Sequence, residues 1–262
     1  MNSLDKTPRG TYPCTMGKNL VFLAPLVAIV LLSGCQTILK TSAQLKLPAK
    51  TAILTFDDGP NPHPSTTDAL LDTLKRLKVK AVFSLIGEKI PHAPQLVKRM
   101  LEEGHLVAYH SLRHDGVSLG SKQDMEKDYL LFSKILQNYD LPPVQLYRPP
   151  MGLYSGSAAE WAKEEHLGIV WATYLPLDPH VNTKGAEGEK ASIRTHLEKN
   201  GGGIVLLHDG VALLFSPQEK DFTDPEQSAD RRWVPTKVEE LVTELRAAGW
   251  NWADPHDYFL PK

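Results

Sequence analysis

Ala52-Ile53-Leu54-Thr55-Phe56-Asp57-Asp58-Gly59-Pro60 is the stretch on which the reading of this chain turns. Five apolar or β-prone residues lead into two adjacent carboxylates and then into Gly-Pro, a pair that interrupts regular structure. Residues 52–56 therefore predict a short buried strand, followed by a turn that puts Asp57 and Asp58 at the strand's C-terminal end. Read alone, Asp-Asp-Gly-Pro is equally an ordinary turn, because Asp and Gly are common turn residues. Two other stretches change that balance. His110-Ser111-Leu112-Arg113-His114 and Leu206-Leu207-His208 each follow another apolar, strand-like run. An aspartate with two histidines is a common way to hold a divalent ion while leaving positions open for water and substrate. The four-residue spacing predicts that the His110 and His114 imidazoles lie on one side of a helical turn.

Outward from the first strand, apolar runs alternate with helical periodicities. Leu70, Leu71, Leu74 and Leu77 share one face of a helix that Ser65 or Thr66 would cap. Residues 81–86 predict a strand, 94–103 a helix closed by Gly104, and 106–109 a strand delivering His110 and His114. A longer helix over 121–139 turns Met125, Phe132, Ile135, Leu136 and Tyr139 inward. Residues 144–147 lead into Arg148-Pro149-Pro150-Met151-Gly152, where two prolines stiffen the loop and Gly152 permits close backbone approach. Helices are predicted at 157–165, 187–199 and 235–248, and strands at 168–174, 203–208 and 250–253. Residues 217–232 read as a polar surface loop beside the site. About seven strands alternating with helices argue for an α/β fold, a parallel closed or nearly closed barrel with its chemistry at the strands' C-terminal ends. Periodicity does not separate this from an open doubly wound sheet.

The chain has 262 residues and a formal net charge of −2. That length fits one α/β domain and an N-terminal extension. Residues 20–32 are an apolar run after Lys18, short for a membrane span but right for the core of a signal peptide. The run ends in Leu32-Ser33-Gly34-Cys35, which resembles the bacterial lipobox whose cysteine becomes the lipidated first residue of the mature protein. The expected division is thus a signal peptide over 1–34, a lipidated tether over 35–50 and a catalytic domain over 51–262. Translation starting at Met16 would give a compact basic segment directly before the apolar run. The sequence after residue 34 carries 26 basic and 30 acidic side chains, which argues against nucleic acid as a partner. It holds only Cys35, so no internal disulfide is available. Gln36 stands where an aspartate would resemble the inner-membrane retention signal, so the expected address is the envelope, at the outer membrane if the host is Gram-negative.

Four motifs in this order resemble the NodB-type polysaccharide deacetylases, family 4 of the carbohydrate esterases. They are T-F-D-D-G-P from Thr55, H-S-x-x-H from His110, R-P-P-x-G from Arg148 and L-x-H from Leu206. The resemblance implies a distorted (β/α)7 barrel and a metal-dependent hydrolase that removes N-acetyl groups from an amino-sugar polymer, acting as a monomer. It implies Asp58, His110 and His114 as metal ligands, with Zn2+ the first choice and Co2+ or Ni2+ also suited. It implies Asp57 as the base, His208 as the acid and Arg148 as the partner of Asp57. The backbone N–H of Met151 would help to stabilise the oxyanion, and Leu206 would line the pocket for the acetyl methyl. The chain departs from the family twice. Tyr109 stands where Asn usually precedes the first metal histidine, and the D-x-x-D-W motif is broken. After Trp171 the sequence runs Ala-Thr-Tyr-Leu-Pro-Leu before Asp178-Pro179, the one acid left. A one-residue insertion would bring Asp178 into register with the family's second aspartate, predicting that it approaches His208 and keeps it protonated. The broken motif also leaves open a catalytically silent carbohydrate-binding lipoprotein. An acetyl-xylan-type esterase is a third reading.

Overall fold

A computed structural model of the chain describes residues 45–63, 66–175, 178–212 and 219–260. The expected signal peptide, Cys35, the tether up to residue 44, Ser65 and residues 217–218 lie outside the described residues.

Strand β1, Thr51–Gly59, is buried along its whole length and carries a parallel neighbour on each side. A strand flanked in this way has no solvent face, which accounts for the unbroken apolar run before its carboxylates. β1 is longer than predicted: no turn follows Phe56, and both aspartates lie inside the strand. Successive strand residues normally point to opposite faces. Here the register with β2, Ala81–Leu85, breaks between Asp57 and Gly59, and Asp58 adopts a left-handed backbone with φ 70°. That bulge lets two consecutive carboxylates serve one site.

β3 (Leu106–Tyr109), β4 (Leu146–Tyr147) and β5 (Gly168–Ile169) continue the parallel sheet from β2, while β6 (Gly202–His208) pairs with the other edge of β1. β7, Asn251–Trp252, joins the first residues of β1. The sheet curls until Tyr174 bridges Val205 and the Thr173 N–H donates to the Ile204 carbonyl, bringing the chain beyond β5 against β6. The result is a curled parallel barrel. The strand predicted over 168–174 is thus divided: beyond Val170, whose N–H still reaches the Tyr147 carbonyl, Trp171 and Ala172 line a cavity.

Helices cover the outside: α1 (Thr66–Leu77), α2 (Pro94–Glu102), α3 (Lys122–Asn138), α4 (Gly156–Glu164), α5 (Ala186–Asn200), α6 (Trp233–Ala247) and the short α7 (His256–Phe259). Their periodic apolar positions meet the sheet. Leu70, Leu71 and Leu74 of α1 and Met125, Phe132 and Leu136 of α3 are buried in the main core. Ser121 closes a reciprocal capping box with Asp124 at the start of α3, and Gly201 at φ 71° ends α5. Among the described residues no helix is long and apolar enough to cross a membrane.

Three other expectations need correction. His110 and His114 do not share a helical turn. The segment after β3 is a bent loop, with Ser111 and His114 at φ 64° and 62°. Side chains take over its hydrogen bonds: Ser111 Oγ accepts from the His114 N–H at 2.7 Å, and Asp128 of α3 accepts from the Leu112 N–H at 2.7 Å. The end of the expected tether belongs to the domain, since Leu45 and Leu47 pack against Ile53, Ile204 and Ala253. The expected surface loop, in its described part, turns inward at its end, where Asp230 and Arg231 are buried.

Candidate active site

Asp58, His110 and His114 are buried, and one ligand atom from each lies within 4.8 Å of the other two. The Nε2 atoms of both histidines sit 3.6 Å from Asp58 Oδ1. Ligands at ordinary zinc distances on a tetrahedron are about 3.4 Å apart, so this spacing fits a divalent ion. The protonation pattern fits as well. His110 Nδ1 is 2.7 Å from the Arg148 carbonyl, which can only accept, so Nδ1 carries the hydrogen and Nε2 offers its lone pair toward Asp58. Burial alone would raise the Asp58 pKa, but the imidazoles of His110, His208 and His114 around it hold it well below the usual carboxylate range. Asp58 Oδ1 is buried with no hydrogen-bond donor among the described residues, as an oxygen meant for a cation would be.

Asp57 lies beside this triad. Its Oδ1 is 3.4 Å from Arg148 Nε, and its Oδ2 is 3.7 Å from His110 Nε2. Arg148 is itself aimed: its Nη2 donates to Thr55 Oγ1 at 2.9 Å, and Thr55 Oγ1 donates to the Val205 carbonyl. One residue therefore serves both carboxylate and ligand, with its side chain on Asp57 and its carbonyl on His110.

His208 stands directly across from Asp57 in the β1–β6 register. Its backbone N–H donates to Asp178 Oδ2 at 2.8 Å, and its ring Nδ1–H donates to Asp178 Oδ1 at 2.8 Å. Asp178 lies in a 3-10 turn, Asp178–His180, and is fully buried. Burial works to discharge the imidazole, but Asp178, Asp58 and Asp57 outweigh it and push the His208 pKa up to about 9. The approach expected of Asp178 is present, and it leaves Nε2 of a charged imidazole for the cavity.

That cavity has a volume of about 480 Å³ and is lined by Asp57, Asp58, both loop histidines, Arg148 and His208, with Met151 and Leu206 at its wall. Met151 holds a left-handed backbone at φ 57° with an exposed side chain, and Leu206 is buried. Every described site residue singled out by sequence borders this space except Asp178, which stands behind His208.

Sequence reasoning missed several supporting groups. Lys89 is half-buried, and its Nζ donates to the carbonyls of Asp58 and Val211, tying the bulge to the chain after β6. Burial lowers its pKa to about 8, against the opposing pull of Asp58 and Asp209. Asp209 accepts from Thr67 Oγ1, and burial pushes its carboxyl up to about 6. A Cβ on Gly210 would overlap the Asp58 carbonyl, so only glycine lets the two strand ends close here. Tyr109, the residue out of keeping with the family, gives its hydroxyl hydrogen to Asp128, the carboxylate that also holds Leu112. No local pattern marks Lys89 or Asp128, although Asp209-Gly210 does echo Asp58-Gly59.

A family model described as polysaccharide deacetylase matches residues 44–170. A peptidoglycan-N-acetylglucosamine deacetylase from Bacillus cereus is 36% identical over 164 residues, 62% of this chain and 73% of the relative. A chitooligosaccharide deacetylase from Bradyrhizobium sp. (strain ANU 289) is 31% identical over 206 residues, 77% of this chain and 87% of the relative. A crystallised peptidoglycan N-acetylglucosamine deacetylase superimposes with a TM-score of 0.61 at 23% identity, covering 82% of this chain and 90% of the other. A family 4 acetyl xylan esterase from Clostridium thermocellum gives a TM-score of 0.60 at 22% identity, covering 79% and 89%. The two structures carry the barrel fold.

Proposed function

The chain belongs to the polysaccharide deacetylase family, and from that premise we propose that it is a metal-dependent hydrolase removing N-acetyl groups from an amino-sugar polymer of the cell envelope. The observation that supports this reading best is the convergence, on one cavity, of a metal-type triad, a carboxylate braced by arginine and a histidine held charged by a buried carboxylate. Asp58, His110 and His114 would hold the ion, and two imidazoles with a carboxylate favour zinc, with cobalt and nickel next. A divalent ion bound there supplies Lewis acidity toward the amide carbonyl and acidifies water.

The chain's own groups account for the proton transfers. Asp57, paired with Arg148, accepts a proton from the attacking water as its oxygen bonds to the carbonyl carbon. His208 then gives the Nε2 proton to the nitrogen as the C–N bond breaks, so the amine leaves neutral and the acyl carbon departs as acetate. Leu206 and Met151 border the cavity, where Leu206 would offer an apolar wall for the acetyl methyl and the Met151 backbone N–H would serve as an oxyanion donor. A silent binding protein has no use for Asp57 and His208 in register beside a ligand triad, and the broken motif that favoured it is answered by Asp178.

The relatives act on peptidoglycan and chitooligosaccharide, as their names state. Lipidation at Cys35 would keep this enzyme among envelope glycans, at the outer membrane in a Gram-negative host, which favours peptidoglycan or an exported poly-N-acetylglucosamine. Cys35→Ala should move the protein from the membrane to the soluble fraction, and a Met16 codon changed to Leu should abolish the lipidated form if translation starts there. The central test is acetate release by purified protein from peptidoglycan, chitooligosaccharides and acetylated xylan, with and without chelator. Chelator-sensitive release from an N-acetylated glycan, restored by zinc, is expected. Release from none of them would end the reading, and release from xylan alone would make the enzyme an esterase.

A further inference from the structure

Arg231 and Arg232 are consecutive, yet the fold treats them differently. Arg232 is 44% exposed in its side chain and closes onto Asp230, with its Nε and Nη2 each 2.8 Å from a carboxylate oxygen. Arg231 is buried, with only 2% of its surface exposed. Its Nη1 donates to the Asp178 carbonyl and lies 3.7 Å from Asp178 Oδ2. Among the described residues no other carboxylate comes within ion-pair distance of it. A guanidinium buried this completely is costly unless it is paired, and removing its partner is costlier still. The chain beyond β6 thus ends its long excursion, just before α6, by delivering a permanent cation to the carboxylate that holds His208.

We propose that Arg231 is a positioning residue for the acid half of the site, clamping the Asp178 turn and balancing that carboxylate's charge once His208 has released its proton. This rests on the reading of His208 as the acid. Before proton transfer, charged imidazole and carboxylate compensate each other. Afterwards the imidazole is neutral, and a fully buried carboxylate would stand alone. Arg231 holds the Asp178 turn in place through both states, so the proton passes to the substrate nitrogen while the carboxylate stays behind Nδ1. The groups that face His208 are Asp178, Asp58 and Asp57. Those that face Arg231 are Asp178, Asp58, Asp209 and Asp230, with the Lys89 ammonium nearby.

The test uses the zinc-loaded full chain. Arg231→Met keeps the stem's bulk and removes the charge, while Arg231→Lys keeps the charge. Arg231→Met should lower kcat by about 10- to 100-fold with KM little changed, and Arg231→Lys should recover part of the loss. In an Asp178→Asn background, Arg231→Met should cost less than about threefold more, because the carboxylate whose charge it balances is gone. Losses that multiply in full would overturn the proposal, since a merely structural arginine acts independently of Asp178. A second measurement needs no turnover. The low-field proton resonance of the His208 Nδ1–H, absent in Asp178→Asn, should shift or broaden in Arg231→Met and persist in Arg231→Lys. An unchanged resonance in Arg231→Met would sink the proposal even if the enzyme is a deacetylase. A wild type that releases no acetate from any glycan would sink the deacetylase reading, while the resonance still decides the role of Arg231. Should Arg231→Met fail to fold, Arg231→Gln carries the same comparison.

Discussion

The site has two halves, built differently. The metal-and-base half draws Asp57 and Asp58 from β1, the two histidines from the loop after β3 and Arg148 from the end of β4, all within the segment matched by the family model. The acid half draws Asp178 from a turn beyond β5, His208 from the end of β6 and Arg231 from the chain before α6, all outside that segment. A cation site needs several donors converging within a few tenths of an ångström, so its residues come as adjacent pairs and fixed spacings. An acid needs only one carboxylate behind its imidazole, and any turn that reaches the place can supply it. The first half therefore advertises itself in short motifs, whereas in the second only L-x-H does, Asp178 being reached through a broken motif and Arg231 through none.

The sharpest way to break this comparison is to strip the ion. Asp58→Ala or His114→Ala should lose bound metal and essentially all turnover, measured by elemental analysis after dialysis beside an acetate assay. Asp57→Asn should keep the metal and lower kcat by about 10²- to 10⁴-fold. If it loses the ion as completely as Asp58→Ala does, the roles of the two carboxylates are misassigned.

Next in size stands the acid half. Asp178→Asn should lower kcat by roughly 10- to 100-fold and move the alkaline limb of the pH profile down from about 9 toward 6.5. The sign follows from the role: the acid works only while protonated, and the carboxylate is what keeps it so at higher pH. A limb that stays in place would mean that Asp178 does not tune His208. Asp128→Ala tests the loop that carries both histidines. It leaves the Leu112 N–H unpaired, so thermal unfolding should show a loss of about 1–3 kcal/mol, with a smaller kinetic effect than Asp178→Asn. The smallest kinetic effect belongs to Arg232→Ala. It takes the bidentate partner from the buried Asp230 carboxylate, so stability should fall by about 1–3 kcal/mol, but kcat should not change. A kinetic loss there as large as in Arg231→Met would erase the distinction between the neighbours.

How much of this was legible depends on the range over which each feature is decided. The alternation of strands and helices, the buried stripes of α1 and α3 and the grouping of Asp57, Asp58, His110 and His114 are local patterns of period or spacing. The four-residue interval between the histidines, however, invited a helical turn. The loop is bent instead, because Ser111 and Asp128 take the hydrogen bonds that a helix would have used. The strand beyond Gly168 was overextended for a similar reason: Trp171 and Ala172 have strand-like character, but their place is the cavity wall.

The sequence by itself determined which chemistry is available: two carboxylates at the end of a buried run, two histidines at ligand spacing, a rigid Arg-Pro-Pro loop and a histidine after the sixth apolar strand. Burial preference and ligand identity are properties of short segments, and short segments can be read. The tertiary structure decided what each group does. The bulge at Asp58 turns two adjacent carboxylates to one site, the β1–β6 register sets Asp57 opposite His208, and the buried end of a long excursion puts Arg231 against Asp178. These are meetings of residues far apart in the chain, fixed by strand pairing and by the cost of burying an unpaired charge, and no local pattern encodes either.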